Sequence, residues 1–211
     1  MKRGRFITFE GGEGAGKSTA IAAAGEVLAR HGIEFRLTRE PGGTHLGEAL
    51  RSLVLDAARD GTCREAEVLM MFASRAQHVV EVIEPALALG QWVISDRFTD
   101  ASWAYQGGGR GVEDEVLAML ERFAAFGLQP DRTILLDVPV EEGLRRIAGR
   151  GEPDRMERES AVFFERVRAA YRARAAEQPA RFRVIDARLP LAEVAQQVAR
   201  ELASLADGWT R

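Results

Sequence analysis

The run Phe6-Ile7-Thr8-Phe9, followed after one residue by Gly11-Gly12-Glu13-Gly14-Ala15-Gly16-Lys17-Ser18-Thr19, joins a short apolar strand to a glycine-rich loop and then to residues at helical spacing. The loop satisfies G-x-x-x-x-G-K-[ST]. Its glycines let successive backbone N–H groups turn inward around phosphate oxygens, and the helix behind it aims the positive end of its dipole at them. Lys17 is placed to reach the β- and γ-phosphates and Ser18 to ligate Mg²⁺. Lysine occurs elsewhere only at Lys2, so Lys17 stands out among arginines. Glu13 is an acid inside the cradle. It is expected to point away from the phosphates, toward a sugar hydroxyl or a metal-bound water.

Outward from this loop, four more apolar runs (35–38, 92–95, 133–138 and 182–185) alternate with stretches of helical spacing. The helical stretches are 17–31, 49–56, 65–89, 113–126, 140–148, 157–176 and 191–205. Strands that are apolar on both faces belong in a mostly parallel sheet covered by helices, which makes the chain α/β. With 211 residues, one domain over 1–211 is expected. A net charge of −3 does not favour a polyanion such as a nucleic acid as partner, so none is expected and any phosphate site is local. Cys63 is the only cysteine, which rules out an intrachain disulfide and a Cys-rich metal cluster; it reads as a buried small hydrophobe or an incidental thiol. No apolar run approaches the ~20 residues of a membrane span, and the start lacks a secretion signal. A cytoplasmic protein without a membrane partner is expected.

The loop fits ATPases, GTPases, transporters and kinases alike, so other segments must decide. There is no Asn-Lys-x-Asp guanine-reading motif, and no strand ends in the paired acids of mechanical ATPases. Two clusters follow strands, where an open α/β sheet binds its ligands. In Arg39-Glu40-Pro41-Gly42-Gly43-Thr44 a guanidinium held by a proline-glycine turn can grip a second phosphate. In Asp96-Arg97-Phe98-Thr99-Asp100-Ala101-Ser102-Trp103-Ala104-Tyr105-Gln106-Gly107, Asp96 can hold the Mg²⁺ shell while Arg97 neutralises the group in transit. His31, His45 and His78 have no spacing for metal or triad chemistry, and only His45 lies near a proposed ligand loop.

With these motifs, Leu136-Asp137-Val138-Pro139 and Gly151-Glu152-Pro153-Asp154-Arg155, the chain closely resembles the bacterial thymidylate kinases nearly end to end. The resemblance implies a three-layer P-loop nucleoside monophosphate kinase fold with a five-stranded parallel sheet and a mobile lid. It implies transfer of the γ-phosphate of ATP to dTMP, giving dTDP and ADP, and a homodimer. By position it puts Arg39, Pro41 and Arg97 around the dTMP phosphate, Glu13 near the sugar 3′-hydroxyl, and Arg75 and Ser102 on the thymine. Tyr105 falls under the deoxyribose where a 2′-hydroxyl would sit, with Gln106 beside it. One departure concerns the residue stacked on thymine. Family members carry a phenylalanine four residues before the base-reading arginine, a place held here by Met71. Met71 and Phe72, one residue later, can both face the ligand, since three and four residues back share a helical face, and Phe72 is the preferred contact.

Segment 145–156 concentrates arginines around glycines and reads as a lid that closes over ATP phosphates. In the family that the chain resembles, some members place a catalytic arginine in the phosphate loop and others place basic residues in the lid. This loop has none, so the resemblance points to Arg146, Arg150 or Arg155 in the lid, with Arg150 preferred for its flanking glycines. The attacking oxygen belongs to a phosphate that is deprotonated at neutral pH. Catalysis is then positioning and charge stabilisation, without a dedicated base. The competing readings are a phosphate-loop kinase acting on another monophosphate or on a deoxynucleoside, and an ATP-sensing regulator. The set of Lys17, Ser18, Asp96, Arg97 and lid arginines argues against a regulator.

Overall fold

The computed structural model describes residues 2–56, 58, 61–149 and 152–210. Five strands, β1 (Phe6–Glu10), β2 (Phe35–Arg39), β3 (Trp92–Asp96), β4 (Arg132–Asp137) and β5 (Phe182–Asp186), pair in parallel in the order β2-β3-β1-β4-β5. The helices are α1 (Lys17–Arg30), α2 (His45–Leu55), α3 (Arg64–His78), α4 (Glu84–Ala88), α5 (Thr99–Ser102), α6 (Asp114–Ala124), α7 (Val140–Ile147), α8 (Ala161–Glu177) and α9 (Leu191–Thr210).

Strand alternation distributes the core over two faces of the sheet. Ile7, Phe9, Ile94, Ile134 and Leu136 pack with Ala20, Ala24 and Leu28 of α1 and Val198 and Leu202 of α9. Phe6 and Val93 pack instead with Val79, Ile83 and Leu87, and Leu135 with Phe163, Phe164 and Val167 of α8. Burial of each such side chain contributes roughly 1.5–3 kcal/mol. The result is the three-layer α/β/α arrangement.

Register brings the chemistry to one edge. Arg39 and Phe9 both pair with Asp96, so the carboxyl ends of β2, β3 and β1 finish side by side. Strand β1 lies between β3 and β4, and the crevice at such a crossover is where open α/β sheets hold ligands.

Several elements differ from the sequence expectation, among them α8, which starts at Ala161 rather than 157, and α9, which runs to Thr210 rather than 205. Helix α2 starts at His45, four residues before 49, because Thr44 caps it by accepting from the Gly47 N–H. Stretch 65–89 is one continuous rod, but its turn Val79–Ile83 is π-helical. That turn lies just ahead of Pro85, whose ring and missing N–H cannot continue a regular ladder. The glycine-rich stretch 103–109, to which the sequence assigns no element, is a second π-helical segment continuing α5. Cys63 is exposed rather than buried.

Candidate active site

Helix α1 begins on Gly16, which has φ +89° and no side-chain cap, leaving the first N–H groups of the helix free for an anion. Gly14, at φ +69°, lies so close to the Gly143 carbonyl that a Cβ would overlap it, whereas a Cβ on Gly12 or Gly16 would meet open space. The loop is therefore pressed against α7 behind and open in front. Gly14, Ala15, Gly16, Lys17, Ser18 and Thr19 line an open cavity of about 360 Å³. Gly11 and Gly12 turn their carbonyls to Lys17 Nζ, at 3.3 and 3.4 Å. Burial and the neighbouring Arg97 push the Lys17 ammonium below its ordinary pKa, as expected of cations gathered to receive a polyanion.

Arg97 is the hinge of the site. Its backbone is left-handed at φ +73°, a conformation that costs about 1–3 kcal/mol for a non-glycine residue. Both sides are pinned: Arg97 N–H donates to the Phe9 carbonyl (3.0 Å), Ser95 Oγ to the Arg97 carbonyl (2.7 Å) and Phe98 N–H to Glu10 Oε1 (2.8 Å). The guanidinium donates to Glu13 Oε1 (2.7 Å), the Gly11 carbonyl (3.1 Å) and Tyr171 Oη (3.2 Å), and lies 4.7 Å over the Tyr105 ring. Burial would lower its pKa, yet Tyr105 and Glu13 hold it well above the ordinary value.

Glu13 turns away from the phosphate cradle. Its Oε1 also accepts from Tyr105 Oη at 2.8 Å, while Oε2 makes no hydrogen bond among the described residues. Although burial raises its pKa, Arg97 and Lys17 together bring it below the carboxylate norm.

Opposite the loop, Arg39, Glu40, Pro41, Arg51, Met71, Tyr105 and Gln106 line the same cavity. Arg39 donates to Glu48 (3.0 Å) and Arg51 to the Pro41 carbonyl (2.9 Å). Arg51 is not singled out by the sequence, where it is one arginine on a short helix with no motif around it; only the fold shows that it faces the cavity. Its pKa is lowered by burial and by repulsion from Arg39.

The expectation for the base pocket needs correction. Met71, not Phe72, lines the cavity; Phe72 is 2% exposed and packs with Val68, Val112, Leu117 and Ala124. One residue advances a helix by about 100°, and here that rotation turns Phe72 into the core while Met71 faces the cavity. Arg75 and Ser102 do not line the cavity either. Arg75 is wholly buried, donating to Glu40 (2.7 Å), Ser102 Oγ (3.0 Å) and the Phe98 carbonyl (2.9 Å). His78, not His45, is the histidine tied to a ligand loop: its Nδ1 donates to Glu40 (2.9 Å) and its Nε2 sits 2.6 Å from Thr38 Oγ1. Arg75 and His78 thus anchor the carboxylate immediately before Pro41.

The lid arginines separate. Arg155 is 6% exposed and donates to the Val54 carbonyl (2.8 Å) and Glu67 (2.5 Å), so it anchors the segment rather than facing phosphates. Arg146 lies against the loop, 3.4 Å from the Gly14 carbonyl, and also bonds Glu142 and the Ala187 carbonyl. Arg150 lies outside the described residues. For Mg²⁺, Asp96 Oδ1 is buried without a hydrogen-bond partner, and Ser18 lines the same cavity. Among the described residues there is no cluster of three or more His, Cys, Asp or Glu fit to hold a metal. One hydroxyl and one carboxylate suit an ion that keeps its waters and binds mainly to phosphates.

Comparison with known proteins follows the same lines. Residues 9–198 match the family model described as thymidylate kinase. The thymidylate kinase of Chromohalobacter salexigens is 53% identical, with 100% of each chain covered. That of Halorhodospira halophila is 55% identical, covering 97% of this chain and 96% of its own. Among solved structures, thymidylate kinase from Ehrlichia chaffeensis superposes with a TM-score of 0.75 at 32% identity, covering 95% of this chain and 99% of that one.

Proposed function

The chain belongs to the thymidylate kinase family, an ATP-dependent phosphotransferase acting on dTMP in nucleotide biosynthesis, and we propose that it makes dTDP and ADP in the cavity between the phosphate loop and Arg39. The observation that carries this reading is one continuous wall. It runs from Lys17 and Ser18 through Asp96 and Arg97 to Tyr105 and Gln106, so donor and acceptor ends share one space.

In this reading ATP lays its phosphates on the N–H groups of residues 14–19, with Lys17 Nζ released from the Gly11 and Gly12 carbonyls to meet them. Arg39, Arg51 and Arg97 take the dTMP phosphate beside Pro41, and Glu13 Oε2 takes the 3′-hydroxyl. Ser18 and Asp96 would hold Mg²⁺, which supplies charge neutralisation between the phosphates. Tyr105, fixed by its bond to Glu13 and its place over Arg97, fills the volume a ribose 2′-hydroxyl would need. Met71 supplies a polarisable thioether to the base. Segment 145–156 acts as the lid of this single domain: Arg155 roots it, and Arg150 and Arg146 bring charge to the transferring group.

A homodimer is part of the same proposal. Leu69 and Val80 on the rod through α3, and Met119, Phe123 and Phe126 at α6 and just beyond, are all exposed, Phe123 at 79%. Helices α3 and α6 pack together, and we assign the dimer contact to these exposed apolar side chains. No helix among the described residues is long and apolar enough to cross a membrane, and we place the enzyme in the cytoplasm.

An acceptor panel tests the function. With ATP held constant, dTMP should give far faster ADP release than dUMP, dCMP or dGMP. ADP release independent of acceptor would refute the assignment.

A further inference from the structure

Beyond the residues placed around the ligands, α3 carries a buried carboxylate that the mechanism does not use. Glu67 is 1% exposed. Its Oε1 accepts from Gln106 Nε2 at 3.0 Å, its Oε2 accepts from Arg155, and Arg110 Nε lies 3.3 Å from both oxygens. Gln106 has the complementary imbalance. Its Nε2 is committed to Glu67, while its Oε1 is buried and has no partner, although the residue lines the cavity beside Tyr105 and Met71.

We propose that Glu67 is a positioning residue for base selection: it fixes the Gln106 amide with Nε2 inward on the carboxylate, leaving Oε1 as an obligate acceptor for a ring N–H of the incoming base. The physical reason is directional. An ionised carboxylate can only accept, so an amide beside it must present its NH₂ and turn its carbonyl the other way. Burial would raise the Glu67 pKa, but Gln106, Arg155 and Arg110 outweigh it and keep the group ionised. An amide free to rotate could meet either a donor or an acceptor; this one meets only a donor. Thymine and uracil carry N3–H, whereas cytosine has a lone pair at N3 that would face the Gln106 carbonyl. Unpaired buried polar groups are what let a site reject an analogue strongly.

This inference rests on dTMP being the acceptor. The test compares kcat/KM for dTMP and dCMP in wild type, Glu67→Gln, Gln106→Met and the double variant. In Glu67→Gln the new amide can donate as well as accept, so Gln106 can flip. The dTMP over dCMP preference should fall by about tenfold or more, chiefly through KM. Gln106→Met should lose a similar amount, and the double variant should lose little more than either alone. A Glu67→Gln enzyme with unchanged preference, or losses that add, would overturn the inference. Should Glu67→Gln fail to fold, a crystal structure of the wild type with dTMP decides. Gln106 Oε1 within about 3 Å of N3, with Nε2 still on Glu67, is the expected result; Nε2 against the base is the contrary one. Absence of dTMP phosphorylation by the wild type would overturn the acceptor assignment and this inference with it.

Discussion

Arg97 shows how much of the site depends on one residue's backbone. A left-handed arginine persists only because three hydrogen bonds around residues 95–98 over-determine it, and the reward is a guanidinium facing loop, acid and phenol together. Lys17 depends less on such strain and more on its charge. We predict that Lys17→Ala retains the folded circular dichroism spectrum yet loses kcat by about 10²-fold or more, because the interaction it removes strengthens in the transition state. Near-normal turnover would contradict the placement of ATP. Tyr105 tests the sugar end. Tyr105→Phe removes the bond to Glu13 but keeps the ring over Arg97 and should change kcat/KM only a few-fold, whereas Tyr105→Ala should phosphorylate ribonucleotide acceptors relatively better. Equal discrimination in both variants would rule out exclusion by bulk. At this scale the sequence was readable wherever a motif fixes the backbone, as in residues 11–19, 39–44 and 96–97. It misled where helix rotation decides: Met71 against Phe72, Arg155 turned inward, Arg51 unnoticed.

Among the elements, the π-helical stretch Trp103–Gly109 explains a feature that the sequence disguises. Three consecutive glycines look like a turn, yet here they lie in a helix because α8 presses against it. A Cβ on Gly108 would come within 2.7 Å of Ala170 Cβ, and one on Gly109 would overlap the Phe163 ring. The close approach lets the segment carry Tyr105 and Gln106 to the cavity while its other side is held by the core. Gly109→Ala should therefore lower stability by about 1–3 kcal/mol through overpacking, measured by urea denaturation, and Phe163→Leu in the same chain should recover part of the loss. No loss in the single variant would mean that the helix contact is looser than described. The sheet, by contrast, was legible from its three central runs, which are apolar on both faces and call for a covered parallel sheet; the edge strands β2 and β5 depart from that pattern, with Leu37 and Val184 exposed.

Across the whole molecule, the binding edge is built over a buried acid. Glu10 ends β1 fully enclosed, accepting from Phe98 N–H and from Tyr171 Oη at 2.7 Å. Burial, with Asp100 nearby, pushes its pKa up to about 8. The sign follows from linkage: between about pH 4.5 and 8 the native state holds a proton that the unfolded chain has lost, so this group's contribution to stability declines as pH rises through that window. We predict that denaturant midpoints of wild type fall from pH 5.5 to 8 relative to Glu10→Gln, which lacks the titrating group. Parallel pH profiles would contradict it. Nothing in the sequence marked Glu10, since a carboxylate beside a glycine loop looks like ligand chemistry until its burial is known.

The central claim is that two anionic nucleotides meet end to end in one cavity, and a bisubstrate conjugate tests it most directly. Calorimetric titration with adenosine and thymidine joined 5′ to 5′ through five phosphates should show one site per chain, tighter than either ATP or dTMP, with prior saturation by either nucleotide abolishing it. Binding that only one of the two nucleotides displaces would mean that donor and acceptor occupy separate places.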